Sequence, residues 1–118
     1  MAKYNCEIFG VVNYSLEISY HDLHEVEEGV ILQLQETLER YGAEHLDFWG
    51  YGDSLQFQCA LAEYDDQDLH SICEEIAGFL PQDIRGRMVG LDKGLNSLSV
   101  YYFTSGKCEY DEYDISGA

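Results

Sequence analysis

The hydrophobic pattern of this chain alternates between two periods, and the order of the two most constrains its fold. From Tyr4 to Tyr20 the apolar side chains occupy mainly even-numbered positions, and the odd positions from Asn13 onward are polar. A period of two residues predicts a half-buried strand, which Gly10 or Asn13 divides or bends. The following segments switch to the helical period of about 3.6 residues and back again, so strands and helices are interleaved.

Two helices are predicted from apolar residues at helical spacing. The first begins at the Asp22 cap and ends before Gly42, a residue that favours helix termination. The second begins at Asp65 and Asp66 and ends before Pro81, which cannot continue a helix. Their buried positions are predicted to be Leu23, Val26, Val30, Leu34, Leu38 and Tyr41 in the first helix, and Leu69, Ile72, Cys73, Ile76 and Leu80 in the second.

The remaining alternating segments predict two hairpins and an edge strand. The predicted strands cover residues 46–49, 55–61, 84–91, 95–104 and 109–113, with turns at 50–53 and 92–94. The whole chain, 1–118, is therefore expected to form a single α+β domain. We expect a two-layer sandwich in which two helices lie on one face of an antiparallel sheet, with a ferredoxin-like βαββαβ order and an extra edge strand. Residues 106–118 are expected to supply that edge strand and a mobile acidic tail.

The acidity of the chain is large and uneven. The 23 Asp and Glu residues exceed the six Lys and Arg residues, giving a formal net charge of −17 over 118 residues. Nearly all of this excess lies before residue 84. Because 46% of the residues are hydrophobic and 14% are aromatic, the chain is too apolar to be a disordered acidic tail. Self-repulsion of this size opposes compactness, so we expect it to serve solubility, salt tolerance or binding to a basic partner.

The first helix is predicted to carry an acidic face. Glu25, Glu28, Glu36 and Glu39 fall within one arc of the helical wheel opposite the apolar stripe, and Leu32 lies in the middle of that arc. A solvated face is the ordinary interpretation of such a pattern. The near absence of Lys and Arg argues for an interface, because ordinary surfaces mix both signs of charge.

Two further acidic clusters are candidates for partner binding. The second helix is expected to direct Asp68, Glu74 and Glu75 outward. Near the C-terminus, carboxylates and tyrosines alternate in the segment Glu109, Tyr110, Asp111, Glu112, Tyr113 and Asp114. Carboxylates beside tyrosine rings offer negative charge next to flat surfaces on which arginine stacks. The alternative interpretation of this segment is an edge strand with a frayed acidic end.

The cysteines and histidines predict neither a structural zinc site nor a redox motif. Cys6, Cys59, Cys73 and Cys108 contain no CxxC pair, and we expect them to be reduced, with the first three buried as small apolar groups. The pairs His21/His24 and His70/Cys73 have the spacing of neighbouring ligands on a helix, but we predict no metal or other cofactor. The lack of a membrane-length apolar run and of a signal-peptide core predicts a cytoplasmic location.

The sequence predicts a binding protein and no enzyme. It contains no nucleophile elbow, P-loop, GxGxxG or HExxH motif. Arg85 and Arg87 form the one basic cluster, which is too small to bind nucleic acid on so acidic a molecule. We expect these arginines to pair with local acids or to contact the acidic edge of a partner.

In size, acidity and lack of catalytic motifs, the chain resembles small acidic inhibitor proteins of phages, the DNA-mimicking anti-CRISPR and anti-restriction class. The resemblance implies a cytoplasmic, non-enzymatic inhibitor whose carboxylates occupy the nucleic-acid site of a basic protein or nuclease complex. It implies no direct binding of nucleic acid or membrane, and a homodimer is compatible with it. The alternatives are an immunity protein that neutralises a basic nuclease toxin, and a small enzyme or ligand-binding domain whose acidity is incidental.

Overall fold

The structure, a computed structural model, describes residues 6–14, 19–62, 66–92 and 97–114. Its elements are β1 (Cys6–Asn13), α1 (Tyr20–Arg40), β2 (Glu44–Tyr51), β3 (Ser54–Leu61), α2 (Asp66–Phe79), β4 (Arg85–Asp92), β5 (Ser97–Thr104) and β6 (Lys107–Asp114). This order confirms the predicted α+β class. The interpretations that involve Tyr4 and residues 15–18, 63–65, 93–96 and 115–118 lie outside the described residues.

The strands form one six-stranded antiparallel sheet in the order β2-β3-β1-β4-β5-β6. Strand β1 lies inside the sheet and pairs with both β3 and β4. The sheet departs from the expected βαββαβ order with one added edge strand, because two strands, β5 and β6, extend it beyond β4. Only four residues separate β4 from β5 and two separate β5 from β6, and strands this close in the chain readily pair as antiparallel neighbours.

One face of the sheet is buried beneath both helices. On β1 the side chains of Cys6, Ile8 and Val12 are fully buried, and on β3 those of Leu55 and Phe57 are buried with them. The helices contact each other, and their apolar stripes join this same cluster. The described helix positions predicted to be buried belong to the cluster or pack against it at its margin. Burial of this apolar surface is the main stabilising contribution to such a fold.

Two glycines of the sheet, Gly10 and Gly86, are each covered by an aromatic ring from the neighbouring strand. Gly10 is paired with Phe57, whose ring occupies the space that a Cβ at Gly10 would need. Gly86 is covered in the same way by Phe103 on β5. Gly10 therefore does not divide β1, because the ring fills the gap that the missing side chain leaves.

Helix α1 has well-defined ends. Its N-cap is Ser19 and not the expected Asp22, since the Ser19 hydroxyl accepts a hydrogen bond of 3.2 Å from the backbone N–H of Asp22. At the other end Gly42 adopts a φ of 84°, as predicted for a terminating glycine. The N–H groups of Gly42 and Ala43 donate to the carbonyls of Glu39 and Leu38, the pattern of a Schellman motif.

A disulfide joins α2 to the edge strand β6. It links Cys73 to Cys108, whose Cα atoms are 6.2 Å apart, so the expectation that these cysteines are reduced is wrong in this structure. No local sequence pattern signals this bond, because the two residues are 35 positions apart. The β5–β6 turn also contacts α2, since Gly106 N–H donates to the Ala77 carbonyl. Cys6 and Cys59 are buried and take no part in a disulfide.

We predict that Cys108→Ser lowers the free energy of unfolding by about 3–4 kcal/mol under oxidising conditions, because the disulfide closes a long loop in the unfolded chain. Urea denaturation with and without a reducing agent measures this difference. With reducing agent present, the variant and the native sequence should unfold at nearly the same midpoint. A stability gap that is unchanged by reduction would contradict a disulfide at this position.

Candidate protein-interaction surface

The predicted acidic face of α1 is exposed. Glu25, Glu28, Glu36 and Glu39 all lie on the solvent side of the helix. Leu32 lies among them and is 58% exposed, the largest exposure among the large hydrophobic side chains that the structure describes. We refer to these five residues as the α1 acidic face. The burial of the opposite stripe of α1 fixes their direction.

The carboxylates of this face are held at regular spacing. At a rise of about 1.5 Å per residue, Glu25 and Glu39 are roughly 21 Å apart along the helix axis. They form two pairs, each separated by about one helical turn, with Leu32 between the pairs. Glu39 accepts a hydrogen bond of 3.0 Å from Gln35. The other three carboxylates make no ion pair or hydrogen bond with any residue in the described part of the chain.

Arg40, the one base of α1, is turned toward α2. Its guanidinium donates to Glu75 at 2.7 Å, and the Tyr41 hydroxyl donates to the other oxygen of the same carboxylate at 2.6 Å. The hydrogen bond from Tyr41 and the nearby Arg40 lower the pKa of Glu75, although partial burial opposes them. The same hydrogen bond raises the pKa of Tyr41. The arginine therefore joins the helices and leaves the α1 acidic face without a cation.

The predicted cluster on α2 does not form one surface. Glu75 is occupied by Arg40 and Tyr41, so its carboxylate has a structural role that the sequence did not reveal. Asp68 is half-buried and has an interaction of its own. Glu74 is exposed on the outer side of the helix. Of the three predicted residues, only Glu74 remains as a surface carboxylate comparable with those of α1.

The C-terminal acidic segment is divided between the two faces of the sheet. Its residues belong to β6, which pairs with β5 from Lys107 to Asp114. Alternation along the strand places Glu109, Asp111 and Tyr113 on the side away from the helices, and Tyr110 and Glu112 on the helix side. Glu109 pairs with Lys107 at 3.2 Å. Exposed carboxylates on an edge strand also discourage pairing with the edge of another sheet.

Tyr110 has a packing role in addition to its exposure. Its ring lies 4.2 Å from that of His70 on α2 and 5.6 Å from that of Tyr101 on β5, measured between centroids. His70 also meets Tyr101 edge to face. This aromatic group and the neighbouring disulfide hold α2 against the end of the sheet. Tyr110, which was predicted to contact a partner, therefore also has a structural role in packing β6 against α2.

The histidine pairs do not form a metal centre within the part of the chain that the structure describes. No three His, Cys, Asp or Glu side chains there are grouped in a way that could hold a metal ion. His21 and His24 are exposed. Cys73 is not available as a ligand beside His70 in this structure, because its sulfur is bonded to Cys108.

The thiol of Cys59 is held in its protonated form by burial. Burial, together with nearby Cys6, raises the pKa of Cys59 to about 12. A protonated thiol is a poor nucleophile. Tyr14 is also buried, and its hydroxyl has no hydrogen-bond partner among the described residues. Burial first, and the charge of Glu27 second, raise the pKa of Tyr14, which keeps the phenol neutral.

Sequence reasoning missed an apolar surface on the sheet. The side chains of the strands that point away from the helices form what we call the open face. Four of the large hydrophobic residues with high exposure belong to it: Phe9, Trp49, Tyr102 and Tyr113. Phe9 and Val11 occupy odd positions of β1, where a one-sided strand would carry polar residues, and this was the available signal.

Comparisons with known proteins give no family for this chain. The sequence matches no protein-family model, and no curated protein matches it. Within the described residues, no helix combines the length and the apolar character needed to cross a membrane. The function is therefore inferred from the chemistry of the surfaces described above.

We predict that Glu75→Gln lowers the free energy of unfolding by about 1 kcal/mol at neutral pH, a modest value because Glu75 and Arg40 are partly exposed. The lowered pKa means that the charged carboxylate stabilises the fold above the ordinary Glu pKa of about 4.3, and that this contribution is lost as the pH falls through the folded-state pKa.

Urea denaturation of both proteins from acidic to neutral pH measures this effect. The difference between Glu75→Gln and the native sequence should shrink as the carboxylate becomes protonated. Glu74→Gln, one position away on the exposed side of α2, is the matched control and should not destabilise the protein. Equal losses in the two variants would contradict a specific role for the contact with Arg40 and Tyr41.

Proposed function

We propose that this chain is a non-enzymatic inhibitor that uses the α1 acidic face to occupy the nucleic-acid-binding site of a basic protein or nuclease complex. The proposed contacts are made by Glu25, Glu28, Leu32, Glu36 and Glu39. Glu74 adds a further exposed carboxylate on the neighbouring helix α2. The carboxylates take the place of nucleic-acid phosphates, as in the anti-CRISPR and anti-restriction inhibitors that the chain resembles in size and acidity.

The observation that carries this proposal is that Arg40 contacts Glu75 on α2 and not the carboxylates of the α1 acidic face. Four exposed carboxylates lie on one side of α1, and the one base of that helix is engaged by Glu75 on the other helix. The repulsion within the face is therefore not relieved by a cation of the same helix. Like charges at helical spacing destabilise an isolated helix by a few tenths of a kcal/mol per pair. A basic partner removes this cost when it binds.

The physical basis of inhibition is charge complementarity. Proteins that hold nucleic acid do so with arrays of Lys and Arg that neutralise phosphates. A rigid helix presents its carboxylates to such an array without further ordering, so little conformational entropy is lost on binding. Leu32 supplies an apolar contact at the centre of the charged face, where a partner excludes water from it.

The proposed site of action is the cytoplasm, where nucleases and nucleic-acid complexes are found. Thiols there reduce many disulfides, so the bond between Cys73 and Cys108 is exposed to reduction. Helix α1 contains no cysteine and is anchored by its own apolar stripe. We therefore expect the α1 acidic face to keep its geometry in the oxidised and the reduced protein.

We predict that changing Glu25, Glu28, Glu36 and Glu39 together to Gln abolishes capture of the partner, because it removes the array of negative charges while preserving helix shape. The measurement immobilises each protein, passes a lysate of its source cells over it, and identifies the bound proteins by mass spectrometry. The expected partner is basic, binds nucleic acid, and is released by raising the salt concentration, which screens charge over roughly 8–10 Å.

The matched control removes the same number of charges elsewhere. It changes Glu109 and Glu112 on β6 to Gln, and Asp111 on β6 and the exposed loop residue Asp83 to Asn, so both variants have equal net charge. This control should retain most of the captured partner, and circular dichroism should show that both variants are folded. Equal loss in the two variants would mean that net charge alone acts, and loss only in the control would place the contact on β6.

A further inference from the structure

The open face of the sheet is unusually apolar for a surface with no helix over it. Antiparallel sheets with one buried face normally carry polar residues on the other. Here Phe9, Trp49, Tyr102 and Tyr113 are each between 39% and 49% exposed. The space between Phe9, Tyr102 and Tyr113 is lined by the partly exposed side chains Val11, Val89, Leu91, Leu98 and Val100, and Gln56 and Gln58 of β3 separate Trp49 from this group. A contiguous apolar patch of this kind marks a surface that is covered in the assembled protein.

Unlike charges mark two opposite corners of this face. The strand register places Arg85 and Arg87 on β4 and Lys107 on β6, near one end of the sheet, and they form the basic corner. The acidic corner is on β2 at the opposite edge, with Glu44 at the other end of the sheet and Asp47 near the middle of the strand. Three further carboxylates lie on this face outside the acidic corner: Glu7, Asp111 and Glu109, the last of which pairs with Lys107. Neither arginine makes an ion pair or hydrogen bond with a described residue. The first sequence expectation for them, pairing with local acids, is therefore not met within the described chain.

We propose that a second copy of this chain covers the open face, giving a symmetric dimer. The two-fold axis lies in the plane of the interface, along the diagonal that joins the two corners other than the basic and the acidic one. It brings the basic corner of each copy onto the acidic corner of its partner. The strands of the two sheets then cross at nearly a right angle, which is one of the two preferred sheet packings. The apolar residues meet at the centre and the unlike charges meet at the corners.

The size of the face is sufficient for such a dimer. Six strands at a spacing of about 4.8 Å, each of eight residues at about 3.3 Å, cover roughly 600 Å² per copy. The two copies together bury about 1,200 Å², which is the lower end of the range for stable specific interfaces. The proposed interface is therefore small for a stable dimer, and its core is largely apolar.

Charge favours this face over the others for self-association. The chain has six Lys and Arg residues in all, and three of them lie on the open face. Two copies, each with a net charge of −17, repel least where these cations are concentrated. The dimer also leaves the α1 acidic faces on its two outer sides. The proposal uses none of the α1 residues, so it stands or fails independently of the proposed inhibitor function.

Sedimentation equilibrium of the purified protein, from micromolar to millimolar concentration at physiological salt, tests the proposal. The expected result is a reversible transition from the 13.5 kDa monomer to a species of twice that mass. Val100→Glu places a charge at the apolar centre and should raise the dimer dissociation constant by about 100-fold or more. A monomer throughout the range would overturn the proposal and leave the face to a different partner.

A charge reversal tests the arrangement with variants at the rim of the face. Arg85→Glu should weaken the dimer by about tenfold, and the additional change Asp47→Arg should restore it, because the two residues face each other across the interface. Glu36→Arg on α1, with a charge change of the same size as Arg85→Glu, should not weaken the dimer. Failure of the second change to restore association, or weakening by Glu36→Arg, would overturn the proposed dimer.

Discussion

Burial of one sheet face beneath both helices determines which surfaces of this molecule remain to be used. The apolar stripe of α1 packs against β2 and α2, so its carboxylates point outward at the spacing set by the helix. The same packing leaves the opposite sheet face without a cover from any helix or strand that the structure describes. A change in the packing of the helices would therefore alter both candidate surfaces. The acidic face and the open face are two consequences of one hydrophobic core.

The few cations of the chain have specific positions, and these decide how its acidity is distributed. Arg40 connects the two helices through Glu75 and is not available to the α1 acidic face. Arg85, Arg87 and Lys107 lie on the open face, away from the helices. Among the described residues, positive charge is thus directed away from the outer face of α1 and concentrated on the open face. This separation is what the proposed binding of a basic partner along α1 and the proposed dimer each require.

The sequence was sufficient for the features that depend on local periodicity. The order of strands and helices and the exposure of Glu25, Glu28, Glu36 and Glu39 follow from periods of two and about 3.6 residues. The end of α1 at Gly42 follows from the local preference of glycine for helix termination. The disulfide, the contact of Arg40 with Glu75 and the extent of the sheet depend on residues distant in sequence. No periodicity reveals such pairs. The N-cap of α1 is Ser19 and not the predicted Asp22, because several polar residues near the start of the helix are each able to cap it.

The proposed inhibition requires the α1 acidic face to occupy a site on the partner that otherwise binds nucleic acid. A competition experiment tests this requirement. The captured partner is titrated with this protein in the presence of increasing concentrations of the nucleic acid that the partner binds, and native gel electrophoresis resolves the complexes. We expect mutual exclusion, with no complex that contains all three components and no binding of nucleic acid by this protein alone. A stable ternary complex, or direct binding to nucleic acid at physiological salt, would contradict it.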